Sequence, residues 1–342
     1  MRAVRFFILA LVLVLAACGP TTRPSDLATQ QSLPTEAIQS AVAPAATVAG
    51  TQVIFPLIAQ QAVNTPNPSP TPAPSATASP PATLHFAVIG DYGSGGSPEA
   101  DVANLVLSWA PEFIITTGDN NYPNGSDATI DDNVGQFYHS YIFPYTGNYG
   151  PGADRNRFFP SLGNHDWNTN SAQPYLDYFT LPGNERYYDF TWGPLHFFVL
   201  DSDSREPEGV GSGSAQAMWL QQKLADSPAI WRIVYLHHAP YSSGMHGGTD
   251  WAIWPYQEWG ADAVLAGHDH TYERLTIDGI PYFVNGLGGG AIYSFLNVVD
   301  GSQMRYNDDY GAMLVEADEQ HITFQFVNRQ GEVVDTFTVQ KP

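Results

Sequence analysis

The chain has 342 residues, 34 of them acidic against 13 basic, for a formal net charge of −21. Such an acidic surface argues against nucleic-acid binding, because it would repel a phosphate backbone. A single cysteine, Cys18, excludes a disulfide framework.

Arg2 and Arg5 precede an apolar run from Phe6 to Ala17, the pattern of a secretory signal and too short to persist as a membrane-spanning helix. Leu15-Ala16-Ala17-Cys18 is similar to a bacterial lipoprotein processing box, so residues 1–18 read as a lipoprotein-type signal peptide with Cys18 lipidated. The protein is then expected at the extracytoplasmic face of a bacterial membrane, anchored through the lipid on Cys18, or secreted if Cys18 is incidental. Residues 19–83 are mostly Ala, Pro, Ser, Thr and Gln, as in Asn64-Thr65-Pro66-Asn67-Pro68. Such a segment buries too little apolar surface to offset its ordering entropy, and is expected to be a disordered tether. Residues 84–342 are long enough for one large core. Removing Arg2, Arg5 and Arg23 from the basic residues, and Asp26 and Glu36 from the acidic ones, leaves this part about 22 charges negative. An anionic substrate would therefore need local attraction from metal ions.

Leu84 to Gly90 reads as a strand that ends in Asp91-Tyr92-Gly93, followed by a glycine-rich turn, Ser94-Gly95-Gly96-Ser97. The glycine spacing matches neither a dinucleotide fingerprint nor a phosphate loop with its lysine, so Asp91 reads instead as a metal-binding residue on a flexible turn. A helix from about Pro98 to Trp109 leads to a second strand, Phe113-Ile114-Ile115-Thr116-Thr117. That strand ends in Gly118-Asp119-Asn120-Asn121-Tyr122, which sets Asp119 at a sheet rim, where open α/β folds hold ligands. A carboxylate can bridge two hard cations, whereas a tyrosine supplies phenolate only to a strong Lewis acid such as Fe(III). Helix and long loops are expected from Tyr122 to Pro160.

The next motif is Gly163-Asn164-His165-Asp166. An Asn amide oxygen can bind a divalent metal, while the adjacent histidine stands free to donate a proton. Further strands are expected at Leu195 to Asp201 and Trp231 to Leu236, with a helix at Ser214 to Asp226 between them. The second of these strands ends in His237-His238, either of which could be a ligand. Ala261 to Ala266 leads into Gly267-His268-Asp269-His270, where histidines at i and i+2 can point to two metals about 3.5 Å apart. Alternating apolar residues around Arg329-Gln330-Gly331 close the domain with an antiparallel hairpin.

Taken in order, these five motifs resemble the calcineurin-like metallophosphoesterases and, within them, the purple acid phosphatases. Two details carry the finer resemblance: glycine at position 93, where most relatives have a metal-binding histidine, and Tyr122. The resemblance implies an α/β (α+β) fold of two packed mixed β-sheets flanked by helices, a four-layer sandwich. It implies Asp91, Tyr122 and His270 on Fe(III), Asn164, His237 and His268 on a divalent ion (Fe, Zn or Mn), and Asp119 between the two. His165 would face substrate as an acid or phosphate-binding group. His246, nine positions after His237, matches one of two adjacent histidines in plant-type members. The tether lacks the strand pattern of the extra N-terminal β-domain that plant enzymes carry.

The expected activity is hydrolysis of small phosphate monoesters by attack of metal-bound hydroxide, with no nucleic-acid partner and no evident protein partner. The alternatives are a phosphodiesterase or nucleotide hydrolase with a Mn, Zn or Mg pair, in which Tyr122 only hydrogen-bonds, and a non-catalytic tethered binding protein.

Overall fold

The computed structural model describes residues 83–341; the expected signal peptide, the lipid on Cys18 and the tether lie outside the described residues. Thirteen strands among those residues form two mixed sheets. The first contains β1 (Leu84–Ile89), β2 (Ile114–Thr116), β3 (Phe158–Pro160), β11 (Gly311–Ala317), β12 (His321–Asn328) and β13 (Val333–Gln340). Its order is β13-β12-β11-β1-β2-β3, with β1, β2 and β3 parallel and the other pairings antiparallel. The second contains β4 (Tyr188–Trp192), β5 (Leu195–Val199), β6 (Trp231–His238), β7 (Ala263–Gly267), β8 (Tyr272–Ile277), β9 (Ile280–Asn285) and β10 (Ser302–Tyr306). Here β5, β6, β7 and β9 run parallel, and antiparallel strands complete both edges. The helices are α1 (Ser97–Ser108), α2 (Gln136–Tyr138), α3 (Gln173–Tyr178), α4 (Ala215–Asp226) and α5 (Tyr256–Trp259).

The side-chain period of two on the parallel strands decides the layering. Phe197, Ile233 and Tyr235 face the core between the sheets, while Phe198, Val234 and Leu236 face the opposite side. Aromatic pairs hold the sheets together: Phe197 meets Phe86 edge-on at 5.2 Å, and Phe283 lies 4.6 Å from Phe324, while Phe86 stacks on Phe113 of its own sheet at 4.8 Å. Ser214 caps α4 by accepting the Ala217 N–H at 3.1 Å, satisfying one of the donors that a helix start leaves open. From that start α4 buries Ala217, Leu220 and Leu224 on the outer face of the second sheet. Each buried leucine stabilises that docking by about 1.5–3 kcal/mol. Pro98 in the first turn of α1 needs no backbone donor there, and α1 buries Val102, Ala103 and Val106 and packs against β11 of the first sheet.

This is the expected architecture: two mixed sheets flanked by a few helices. Between Tyr122 and Pro160, however, the regular structure is confined to short helical turns at Asp131–Gly135, Gln136–Tyr138 and His139–Tyr141 and to β3. The glycine-rich turn after Asp91 is pinned, not loose, because Glu99 accepts the N–H groups of Ser94 at 2.8 Å and Gly95 at 2.6 Å.

Candidate metal centre

The functional motifs meet at the carboxyl ends of parallel strands from both sheets. Asp91 and Asp119 follow β1 and β2, Asn164 follows β3, His237 lies at the end of β6, and His268 follows β7. Three of these residues adopt left-handed backbone, Asp91 (φ 54), Asp119 (φ 51) and His268 (φ 72). Such strain costs on the order of 1–3 kcal/mol per residue and persists only where surrounding structure enforces it. Close approach of the two sheets requires glycine at 118, and close approach of the loops after β2 and β3 requires it at 163. A Cβ on Gly118 would lie 2.6 Å from His237 Nδ1, and one on Gly163 would lie 2.2 Å from Asp119 Oδ1.

Each carboxylate spends one oxygen on the backbone and turns the other inward. Asp91 Oδ2 accepts the His268 N–H at 2.9 Å, which leaves Oδ1 3.4 Å from both the Tyr122 hydroxyl and His270 Nε2. Asp119 Oδ1 accepts the His165 N–H at 2.8 Å, and Oδ2 lies 3.1 Å from the Tyr122 hydroxyl and 3.4 Å from His237 Nε2. Two imidazoles are oriented by the same logic. His237 Nδ1 donates to the Thr117 carbonyl at 2.8 Å and His270 Nδ1 to the Ala291 carbonyl, so both present Nε2 to the site. His270 Nε2 lies 3.0 Å from the Tyr122 hydroxyl. His237 Nε2 lies 3.0 Å from Asn164 Oδ1 and 3.2 Å from His268 Nδ1.

Two donor groups result, Asp91–Tyr122–His270 and Asn164–His237–His268, with Asp119 Oδ2 facing both. His268 thus lies with His237, and His270 with Tyr122 and Asp91. The donor atoms of Asp91, Asp119 and His270 all lie within 4.8 Å of one another. Oxygen and nitrogen lone pairs converging at such separations suit cations with bond lengths of about 2.0–2.2 Å, so the residues present fit a metal.

The facing charges decide how these groups titrate. Burial would push the His237 imidazole down, but the facing Asp119 carboxylate outweighs it and raises the imidazole to about 10. Asp119 is correspondingly held well below the usual carboxylate range, against the effect of its own burial. Burial and the neighbouring His237 depress His268, whereas Asp91 raises His270 in spite of burial. Burial, then Asp91 and Asp119, push the Tyr122 phenol far up. A phenolate there requires a strongly acidic cation.

His165 stands beside these groups. Its Nδ1 donates to the Pro123 carbonyl at 2.5 Å, its ring centroid is 4.5 Å from that of Tyr122, and its Nε2 is 4.0 Å from Asp119 Oδ2. The exposed His246 stacks on His268 at 4.3 Å. Between the two possible ligands at the end of β6, His237 is the one whose ring nitrogen meets Asn164 and Asp119. His238 Nδ1 turns instead to Ser202 Oγ at 3.0 Å. His139 and His196 lie elsewhere, His196 bonding Asp189 at 2.9 Å and Ser227 at 2.8 Å.

Several supporting residues escaped sequence reasoning. Buried Asp166 accepts the N–H of Gly163 at 2.9 Å and Asn120 Nδ2 at 2.8 Å, locking the two motifs together; burial, then Asp119, push it up to about 7. Asp269 accepts the His246 N–H at 2.8 Å, and Tyr293 stacks on His270 at 4.1 Å. Arg205 donates to the Asn164 carbonyl at 2.9 Å. Asp166 and Asp269 sit inside the quoted motifs, which was the available signal; Arg205 and Tyr293 have none.

The family model for calcineurin-like phosphoesterases matches residues 83–272. The chain belongs to this family, whose class is the metal-dependent phosphoester hydrolases. More narrowly, it is 26% identical over 300 residues to purple acid phosphatase 17 of Arabidopsis thaliana, covering 76% of this chain and 85% of the relative. Its fold is similar to that of purple acid phosphatase PPD1 from yellow lupin, with TM-score 0.62 and 17% identity, covering 76% of this chain but only 54% of the lupin protein. It also resembles GAP50, the anchor in the inner membrane complex of Plasmodium, with TM-score 0.58 and 20% identity, covering 76% of this chain and 89% of the other. No helix of the described residues is long and apolar enough to cross a membrane.

Proposed function

We propose that the protein is a binuclear phosphatase of the purple acid phosphatase type, acting on small phosphate monoesters. The observation that carries this reading is the Tyr122 hydroxyl, set within 3.0–3.4 Å of donor atoms of Asp91, Asp119 and His270. Asp91, Tyr122 and His270 would hold Fe(III), Asn164, His237 and His268 a divalent Fe, Zn or Mn ion, and Asp119 would bridge them. When bound, such a pair supplies the nucleophile and offsets charge on the phosphoryl group during in-line displacement. His165, with Nδ1–H fixed on Pro123, would in its imidazolium form carry a second proton on Nε2 and pass it to the departing oxygen, leaving the ring neutral. His246 assists from the His268 side. Residues 1–83 export the domain and tether it to a membrane through a lipid on Cys18.

The test is the visible absorption of the metal-loaded protein and of its Tyr122→Phe variant, alongside hydrolysis of an aryl phosphate monoester and the matching diester. A charge-transfer band that disappears in the variant, with the monoester preferred, supports the reading. A colourless protein that still hydrolyses esters would replace Fe(III) with a Mn, Zn or Mg pair. Preferred cleavage of the diester would make the enzyme a phosphodiesterase, and no hydrolysis at all would leave a binding protein.

A further inference from the structure

A third imidazole borders the Asn164–His237–His268 group and has no part in it. His238 Nδ1 lies 3.0 Å from Ser202 Oγ, and the same Oγ accepts the His238 backbone N–H at 2.8 Å. Ser202 is buried, and among the described residues its hydroxyl has no other hydrogen-bond partner. Its proton therefore goes to His238 Nδ1, since a buried hydroxyl left without an acceptor is costly. With Nδ1 accepting, the ring proton sits on Nε2. That Nε2 has no hydrogen-bond partner among the described residues, yet it is not a buried unpartnered atom, so it reaches solvent. The ring is placed between His268, at 4.4 Å, and the exposed Trp251, at 5.9 Å between centroids. The result is one N–H donor on a ring that packs against His268 of the divalent-ion group.

We propose that His238 contacts substrate, its Nε2–H donating to a non-bridging oxygen of the bound phosphoryl group, with Ser202 as the positioning residue that fixes its tautomer. This rests on the phosphatase reading given above. A neutral donor is well suited here: it holds a phosphoryl oxygen without adding a cation that the surrounding carboxylates would pair with and draw away from substrate.

The test uses the metal-loaded full chain with inorganic phosphate as probe, comparing wild type with His238→Phe, His238→Gln and Ser202→Ala. Phosphate dissociation constants come from calorimetry and metal content from elemental analysis. Phe keeps the ring but removes the donor, and is expected to weaken phosphate binding by about 10-fold or more, the range for a hydrogen bond to a charged group. Gln places an amide N–H near the lost Nε2 and is expected to recover most of that affinity. Ser202→Ala frees the tautomer and is expected to weaken binding several-fold. Metal content is expected to stay at the wild-type level throughout. Unchanged phosphate affinity in His238→Phe overturns the proposal, as does loss of metal, which would make His238 part of the metal site. If His238→Phe does not fold, wild-type affinity in Ser202→Ala overturns it equally. Failure of the phosphatase reading is separately visible, as a wild-type protein that binds phosphate and metal yet hydrolyses no ester.

Discussion

Replacing Asp119 with Asn tests the electrostatics of the metal-free centre through a pH dependence of definite sign. In the metal-free protein the Asp119 carboxylate faces His237 Nε2 at 3.4 Å, and both residues are buried. That contact is the main reason His237 rises from 6.5 to about 10 despite its burial. A basic group raised on folding contributes stability that is complete below its unfolded value and is lost as pH climbs through the folded one. The shift on His237 corresponds to a contribution on the order of 5 kcal/mol at most, at about 1.4 kcal/mol per unit. In Asp119→Asn burial dominates, His237 no longer holds its proton, and this contribution disappears. The effect on Asp119 itself has the opposite placement: its carboxyl is lowered on folding, so its share is lost only as pH falls below the ordinary carboxylate range and stays constant above neutrality. His270 is also raised against its burial, chiefly through Asp91 and only in smaller part through Asp119, so most of its share persists in the variant. The stability advantage of wild type over Asp119→Asn should therefore be largest near pH 6 and shrink by several kcal/mol towards pH 10. Urea unfolding of chelator-stripped protein at intervals across that range, followed by tryptophan fluorescence, measures it. An advantage equal at both ends of the range would refute the buried ion pair.

Gly118→Ala should lower the melting temperature and weaken metal uptake, because its Cβ would fall 2.6 Å from His237 Nδ1 at a φ of +92; the backbone strain alone is about 1–3 kcal/mol, and an unchanged melting curve would contradict the close approach of the sheets. His165→Ala should reduce kcat by about 100-fold or more, the usual range for a lost general acid, with metal content intact. Metal loss from that variant would move His165 among the ligands. Phe113→Ala removes a ring that stacks on Phe86 at 4.8 Å and meets Phe197 at 5.4 Å, and should cost about 3–5 kcal/mol of unfolding free energy without altering the metal-site spectrum.

Much of the centre was legible in the sequence because its chemistry is written in short motifs at strand ends. Asp91, Asp119, His237 and His268 follow runs whose apolar character marks them as strands, with His270 two residues further on. The closing hairpin was legible for the same reason, through strict alternation on β12 and β13. Strands β3, β10 and β11 were less so, since the pairing that defines them comes from residues far away in the chain, as when β11 inserts beside β1.

The sequence by itself thus determined the order of the candidate donor residues, through residue type and local periodicity, and the two-sheet class, through the family resemblance those motifs carry. Only the tertiary structure decided which nitrogen each histidine presents, since that choice rests on carbonyls brought from elsewhere: Thr117 for His237 and Ala291 for His270. It likewise chose His237 over His238 for the Asn164 group. Adjacent residues on a strand point to opposite faces, so His237 turns towards Asn164 and Asp119, while His238 meets Ser202 from the loop after β5.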